Sequence, residues 1–416
     1  MADDKLLKTM QVFDEYERRF ALARAQKPLV FPLDDKGRQN ILSGVEKLLR
    51  LDEKLIPTVS DAKVVRTKNC GTYTVYELIY STWKNVYVSA TAMIPKSNAP
   101  VPLVFVLCGH GKGGRRNEGY SLMAHRLARC GLAVIMPDNI GQGDRYKMGH
   151  GKDTASPFYA GLTIQGLIVA EAVALVRAAA SHPKIDSARM GACGNSGGGM
   201  LTLFLSALAP QLSAIASSGY PSEFPFILSK EYVHCVCNLL SGAAYGPEMW
   251  EIYSLFAPKP LLLEQGYYDE YIPSTLAKRN ARKIKHVYTQ MGAEENFRLA
   301  ITNTKHSWTA EDRKIISDFL CNALGIKDGQ DINEENLPLE LDEREISLPQ
   351  NALTTDELVQ SLTGKKIPKD LLLQDAIKPT FNGKELNPDE IVATLGGVDI
   401  MHVFAQMEFA LKKQVK

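Results

Sequence analysis

The segment Gly194-Asn195-Ser196-Gly197-Gly198 places a serine between close glycines, after a short apolar run (Met190 to Cys193) and before a helical pattern over 197–209. On a sharp strand-to-helix turn, a serine hydroxyl is pushed into solvent, and glycines on either side let the turn close. A glycine-rich turn with an incidental serine has the same local pattern, so the distant residues decide. A serine is a weak nucleophile at neutral pH and needs a base, itself oriented by an acid. Both follow in the chain. Asp269 lies just past a predicted strand over 260–264, and His306 lies on the loop between the last predicted strand and a helix over 309–324. Glu264 and Glu270 are the alternatives for the acid, and a helix-capping or surface position is the alternative for His306.

Acyl transfer also needs backbone amides aimed at the developing oxyanion. Gly197, after the serine, is expected to give one. The loop Cys108-Gly109-His110-Gly111-Lys112-Gly113-Gly114 follows a predicted strand over 103–107, and either Gly111 or Lys112 is expected to give the other. That loop lacks the Gly-Lys-Ser/Thr ending of a phosphate loop. His110, Asn195, Tyr268 and Trp308 are candidates to touch substrate. Arg115 is a candidate to meet an anionic group, as are Arg116, Arg145 and Lys147, with solvated surface charge as the alternative. His234-Cys235-Val236-Cys237 invites a metal reading, but zinc takes three or four ligands and no second pair is nearby. A packed or pocket-lining role is expected there, and no metal and no cofactor.

The elements that must position these residues alternate. Residues 1–60 read as a helical extension, with Leu6, Leu7, Met10, Phe13, Tyr16 and Phe20 at helical spacing and a second amphipathic run over 38–54. From about residue 62 the period shortens toward two, and Thr72 to Tyr80 and Val86 to Ile94 read as paired strands. Strands over 103–107, 132–136, 190–193, 212–217, 260–264 and 297–302 then alternate with helices over 118–130, 163–181, 197–209 and 309–324. This is an α/β pattern: a mostly parallel sheet with helices on both faces, spanning 61–326. The alternation lapses over 218–257, an insert placed over the carboxyl edge of the sheet and expected to shape the pocket. Residues 327–416 read as an extension for docking or oligomer formation. It has an acidic stretch over 328–345, capping-box spacing at Thr354/Glu357 and Asn387/Glu390, and a last helix striped by Ile400, Val403, Phe404, Met407 and Leu411.

The 416 residues suit one large α/β domain with extensions, or two domains. A net charge of +1 gives no field for a polyanion, so no nucleic-acid partner is expected. Met1-Ala2-Asp3-Asp4-Lys5 lacks an apolar signal, and no apolar stretch approaches the ~20 residues of a membrane span. Seven cysteines, odd in number and mostly in apolar surroundings, read as reduced thiols of a cytoplasmic protein with no membrane partner.

Taken together, residues 65–325 resemble the α/β-hydrolase superfamily. Pro137-Asp138-Asn139-Ile140-Gly141-Gln142-Gly143-Asp144 is similar to the Asp-x-x-Gly-x-Gly turn after a central strand in many members, and is read as a structural turn. Phe256-Ala257-Pro258-Lys259-Pro260-Leu261-Leu262-Leu263 and His306-Ser307-Trp308 resemble the acetyl xylan esterase and dienelactone hydrolase-like group. The resemblance implies a serine hydrolase acting on a small carboxylic ester, an acetylated carbohydrate among the options. Ser196 would be the nucleophile, His306 the base and Asp269 the acid. Lactone hydrolysis, amide hydrolysis and acyl transfer use the same triad. A silent binding protein on the same scaffold is a further alternative, which the complete constellation disfavours.

Overall fold

A computed structural model of the chain describes residues 30–111, 113–151, 154–228, 235–240, 243, 246–326, 332–337 and 345–377. The strands are β1 (Ser60–Asn69), β2 (Tyr73–Ser81), β3 (Tyr87–Pro95), β4 (Val101–Leu107), β5 (Ala133–Pro137), β6 (Ile185–Asn195), β7 (Ala214–Ser218), β8 (Leu261–Gly266) and β9 (Phe297–Thr302). They form one sheet in the order β1-β2-β3-β5-β4-β6-β7-β8-β9. The β1–β2, β2–β3 and β3–β5 pairs are antiparallel; all pairs from β5 to β9 are parallel.

The parallel half follows from composition. Strand β4 is buried at every residue, as are β7 and β8, and such strands need cover on both faces. Alternate residues of β4 enter different cores. Leu103, Phe105 and Leu107 pack with Val169, Val173, Leu201 and Phe204, whereas Val104 and Val106 pack with Met123, Leu127, Ile316 and Leu320. The helices that supply this cover are α2 (Glu118–Arg129) and α6 (Ala310–Ala323) on one face, and α3 (Ile164–Ala180) and α4 (Gly197–Leu208) on the other. Helices α1 (Asp35–Leu49), α5 (Ser274–Gln290) and α7 (Thr355–Thr363) complete the longer ones.

The two ends are described in part. Within the expected N-terminal helical extension, α1 and a short 3₁₀ turn at Glu53–Leu55 form, then the chain extends into β1; residues 1–29 lie outside the described residues. Strand β1 is exposed along nearly its whole length. An edge strand of that kind has no buried face to impose alternation on its sequence. In the tail, Thr354 and Glu357 form the capping box of α7, whose Leu358 and Val359 are buried. Thr355 Oγ1 donates to the Gly149 carbonyl at 2.7 Å, and the Leu353 amide to the Asn85 carbonyl at 3.0 Å. The acidic stretch lies mostly outside the described residues, and Asn387, Glu390 and the last predicted helix lie wholly outside them. No helix of the described residues is long and apolar enough to cross a membrane.

Candidate active site

Strand β6 ends at Asn195 and α4 begins at Gly197, with Ser196 between them at φ 59°, ψ −120°. An L-residue held there costs about 1–3 kcal/mol, so the surroundings must impose it. They do. A Cβ on Gly194 would lie 2.3 Å from the Gly198 carbonyl oxygen, and one on Gly198 only 1.9 Å from that of Leu107. No side chain fits at either position. The Ser196 amide donates to the Ser218 carbonyl at 3.0 Å, and the Ser196 carbonyl accepts from the Met200 amide at 2.9 Å. The elbow is thus tied to β7 and to α4. Gly197 opens α4, where amides lack an intrahelical acceptor and the helix dipole is positive.

Asp269 follows β8, and its carboxylate is fully engaged. Oδ1 accepts from the Tyr271 and Ile272 amides, each at 2.8 Å, and Oδ2 accepts from Gln265 Nε2 at 2.7 Å. His306 Nδ1 is 2.8 Å from Oδ2. A carboxylate oxygen only accepts, so Nδ1 donates, and Nε2 of the neutral ring is left as an acceptor. The ring stands edge-on to Tyr271 at 4.8 Å between centroids. Its Cε1 would be 3.2 Å from a Cβ on Gly219, the residue after the Ser218 that holds the elbow. Ser196 and the His306–Asp269 pair therefore share one stretch of the sheet's carboxyl edge.

The alternative acids are employed otherwise. Glu264 is buried and accepts from the Ser218 and Thr302 hydroxyls, the latter at 2.9 Å. Burial, reinforced by the nearby Asp312, pushes its carboxyl up to about 8. Glu270 accepts from the His306 backbone amide at 3.3 Å.

One expected oxyanion donor is already engaged. The Gly111 amide donates to Gln142 Oε1 at 2.8 Å, so a side chain reaching over from the loop after β5 already takes it. Lys112 lies outside the described residues. The loop is braced against the elbow by Tyr120, whose hydroxyl accepts from the Gly109 amide at 2.7 Å and donates to the Asn195 carbonyl at 3.4 Å.

The fold has relatives among known proteins. The family model described as Acetyl xylan esterase (AXE1) matches residues 62–232. The solved structure of Methylesterase BT1017 superposes with a TM-score of 0.66 at 22% identity, covering 84% of this chain and 78% of that one. A Glucuronoyl Esterase from Solibacter usitatus superposes with a TM-score of 0.55 at 14% identity, over 72% of this chain and 95% of that one. The chain has the α/β-hydrolase fold. YtaP of Bacillus subtilis (strain 168), a hydrolase by name, is 22% identical over 239 residues, which are 54% of this chain and 79% of that protein.

Several side chains expected to touch substrate are instead built into the protein's frame. Arg115 has no exposed surface. Its guanidinium donates to Glu77 and Asp144 at 2.7 Å each, to Thr91 Oγ1 at 3.0 Å, and to Asp138. Asp138 also accepts from Ser89 Oγ and from the Arg115 and Asp144 amides, which makes the 137–144 segment a structural turn. Arg116 pairs with Asp144, and buried Arg145 makes a two-pronged pair with Glu171 at 2.7 and 2.9 Å. Arg115 and Arg145 are thus neither steering charges nor solvated ones; only Lys147 of the four is fully exposed. Trp308 is buried, donates from Nε1 to Ser218 Oγ at 2.9 Å, and stacks edge-on against Tyr120. Asn195 is buried, with Oδ1 3.1 Å from the same Ser218 hydroxyl. Both support the elbow from below. Tyr268 remains exposed, edge-on to Tyr267.

The cysteine motif gains neighbours in three dimensions. His234 lies outside the described residues, but Cys235 and Cys237 meet a second pair that is remote in sequence, His110 and His150. Sequence reasoning missed Gln142, His150, Ser218 and Gln265. Gln142 is a variable position of the 137–144 turn and the others stand in no motif; each gains its role from a segment that folding brings alongside.

Proposed function

We propose that the protein is a serine carboxylic ester hydrolase acting on a carbohydrate ester through Ser196, His306 and Asp269. The observation that carries this reading is the strained elbow at Ser196, beside a histidine whose Nδ1 is bound to a carboxylate. Ser196 Oγ attacks the ester carbonyl while His306 Nε2 takes its proton. The imidazolium that forms is steadied by Asp269 and returns the proton to the leaving alcohol. Water, deprotonated by the same nitrogen, then attacks the acyl-enzyme, and the carboxylic acid leaves as Ser196 regains its proton. The Gly197 amide at the start of α4 faces the developing oxyanion.

The carbohydrate part rests on the acetyl xylan esterase match and on relatives named for methyl and glucuronoyl esters. Acetylated sugars and sugar-acid esters share a polar alcohol or acyl part around one ester bond. A panel of acetylated saccharides, uronate methyl esters, lactones and amides, run with wild type and Ser196→Ala, tests the reading. Turnover of an ester that falls by several orders of magnitude in Ser196→Ala is expected. Covalent labelling by a fluorophosphonate should be lost with it. Near-normal turnover in the variant would remove Ser196 from the mechanism. A preference for amides would change the substrate class while keeping the triad.

A further inference from the structure

Beside the elbow, three loops at the carboxyl edge of the sheet converge on four soft or borderline donors. His110 comes from the loop after β4, His150 from the segment after a 3₁₀ turn at Gly143–Met148, and Cys235 and Cys237 from the insert, at a 3₁₀ turn over Val236–Asn238. One donor atom from each, taken together, all lie within 4.8 Å of one another. His150 Nε2 is 2.7 Å from Cys235 Sγ, and His110 Nε2 is 3.4 Å from Cys237 Sγ. Both cysteines are buried, and the imidazoles are partly so.

We propose that His110, His150, Cys235 and Cys237 form a tetrahedral site for a thiophilic divalent metal ion, zinc by donor chemistry. Two thiolates and two imidazoles are a recurrent zinc set, and four protein ligands make a closed structural site. The dimensions fit. Bonds of about 2.3 Å to sulfur and about 2.0–2.1 Å to nitrogen set neighbouring donors roughly 3.3–3.8 Å apart. The distances here bracket that range, so ligation needs side-chain shifts of about an ångström. His150 is already oriented for it. Its Nδ1 lies 2.8 Å from the Ile140 carbonyl, which fixes the proton on Nδ1 and presents Nε2 to the cysteines. Paired hydrogen bonds between one histidine and one cysteine would account for two groups. Convergence of two such pairs from three remote segments is what a four-ligand shell requires.

The site would clip the insert to the loop that faces the nucleophile. A Cβ on Gly197 would lie 3.0 Å from His110 Nδ1, so the ring that binds the ion through Nε2 packs directly on the residue after Ser196. The ion would thus hold one wall of the pocket in place while taking no part in the bond-making steps.

The test uses the full-length protein, purified under reducing conditions and assayed for bound metal by mass spectrometry. About one equivalent of zinc per chain is expected. The chelator-stripped protein should take up Co²⁺ with the intense visible bands of tetrahedral coordination and a thiolate charge-transfer band. Cys235→Ser with Cys237→Ser should lose both signals, and His150→Ala alone should weaken Co²⁺ affinity at least tenfold. Ser196→Ala should keep both signals, which separates this site from the catalytic proposal. Circular dichroism of each variant excludes loss by unfolding; if the double variant does not fold, His150→Ala decides. Three outcomes would overturn the proposal: no zinc or Co²⁺ uptake by wild type, uptake unchanged in the folded variants, or a Cys235–Cys237 disulfide whose reduction brings no metal binding.

Discussion

Gln265 Nε2 donates at 2.7 Å to Asp269 Oδ2, the same oxygen that His306 Nδ1 approaches at 2.8 Å. The amide also donates to the Ile272 carbonyl at 3.0 Å, so one side chain at the end of β8 holds both the acid and the loop that carries it. Gln265 is a positioning residue: it sets the oxygen that sets the imidazole. A hydrogen bond to a charged group is worth about 1.5–3 kcal/mol. Gln265→Ala is therefore expected to lower kcat by roughly ten- to a hundred-fold with KM little changed. Steady-state kinetics on any ester the wild type turns over will check it. A rise in KM alone would make Gln265 a binding residue instead.

Glu264 predicts a pH dependence of stability. Its carboxyl is raised in the folded state from the ordinary 4.5 to about 8, chiefly by burial. A raised acid favours the folded state while it is neutral. Its contribution is fully present below about pH 4.5, declines above that, and is lost as pH rises through about 8. Glu264→Gln keeps the neutral form at every pH. The wild-type melting temperature should therefore fall more steeply than the variant's between about pH 5 and about pH 9. Parallel melting curves across that range would show that Glu264 ionises as freely folded as unfolded.

Gly197 and Gly198 are adjacent in sequence yet face different obstacles. A Cβ on Gly198 meets the Leu107 carbonyl at 1.9 Å, which is backbone of a central strand and cannot yield. A Cβ on Gly197 meets the His110 ring at 3.0 Å, which is a side chain on a loop. Gly198→Ala is expected to lower the melting temperature by several degrees or more, as overpacking by about 1–3 kcal/mol would. Gly197→Ala should fold almost as stably and lose turnover through the displaced ring and amide. Thermal melts and kcat on the two variants distinguish these outcomes; equal destabilisation would contradict the difference in their surroundings.

What the sequence made legible followed periodicity and local motif. Buried runs such as Leu103–Leu107 and Leu261–Leu263 announce parallel strands, because a strand covered on both faces has no polar side. The order Ser196, Asp269, His306 at strand ends located the site, since in this fold each strand end delivers its loop to one edge. Arg115 and Arg145 misled because charge in a loop is normally solvated; only the meeting of β2, the 137–144 turn and α3 reveals the carboxylates that neutralise them. The neighbours of Cys235 and Cys237 were hidden for a related reason. Spacing is read along the chain, whereas His110 and His150 meet them across three loops.

The Arg115 network supplies the last prediction. Its guanidinium faces Glu77, Asp138 and Asp144, all buried, and their charge outweighs the burial that would otherwise lower its pKa. Arg115→Met removes the cation shared by all three carboxylates and leaves them crowded under the 113–116 loop, with Arg116 still on Asp144 and Arg66 3.7 Å from Glu77. Breaking a buried pair in this way costs about 3–5 kcal/mol, because the surviving charges lose their partner and cannot regain water. The expected result is a drop of several degrees in melting temperature, with equal loss of activity toward neutral and anionic esters at temperatures where the variant is folded. Acidification should narrow the gap between variant and wild type, since protonating the carboxylates removes the uncompensated charge. If instead the melting temperature held and KM rose only for anionic esters, with strong dependence on salt, Arg115 would belong to the substrate pocket and the buried network would not be its role.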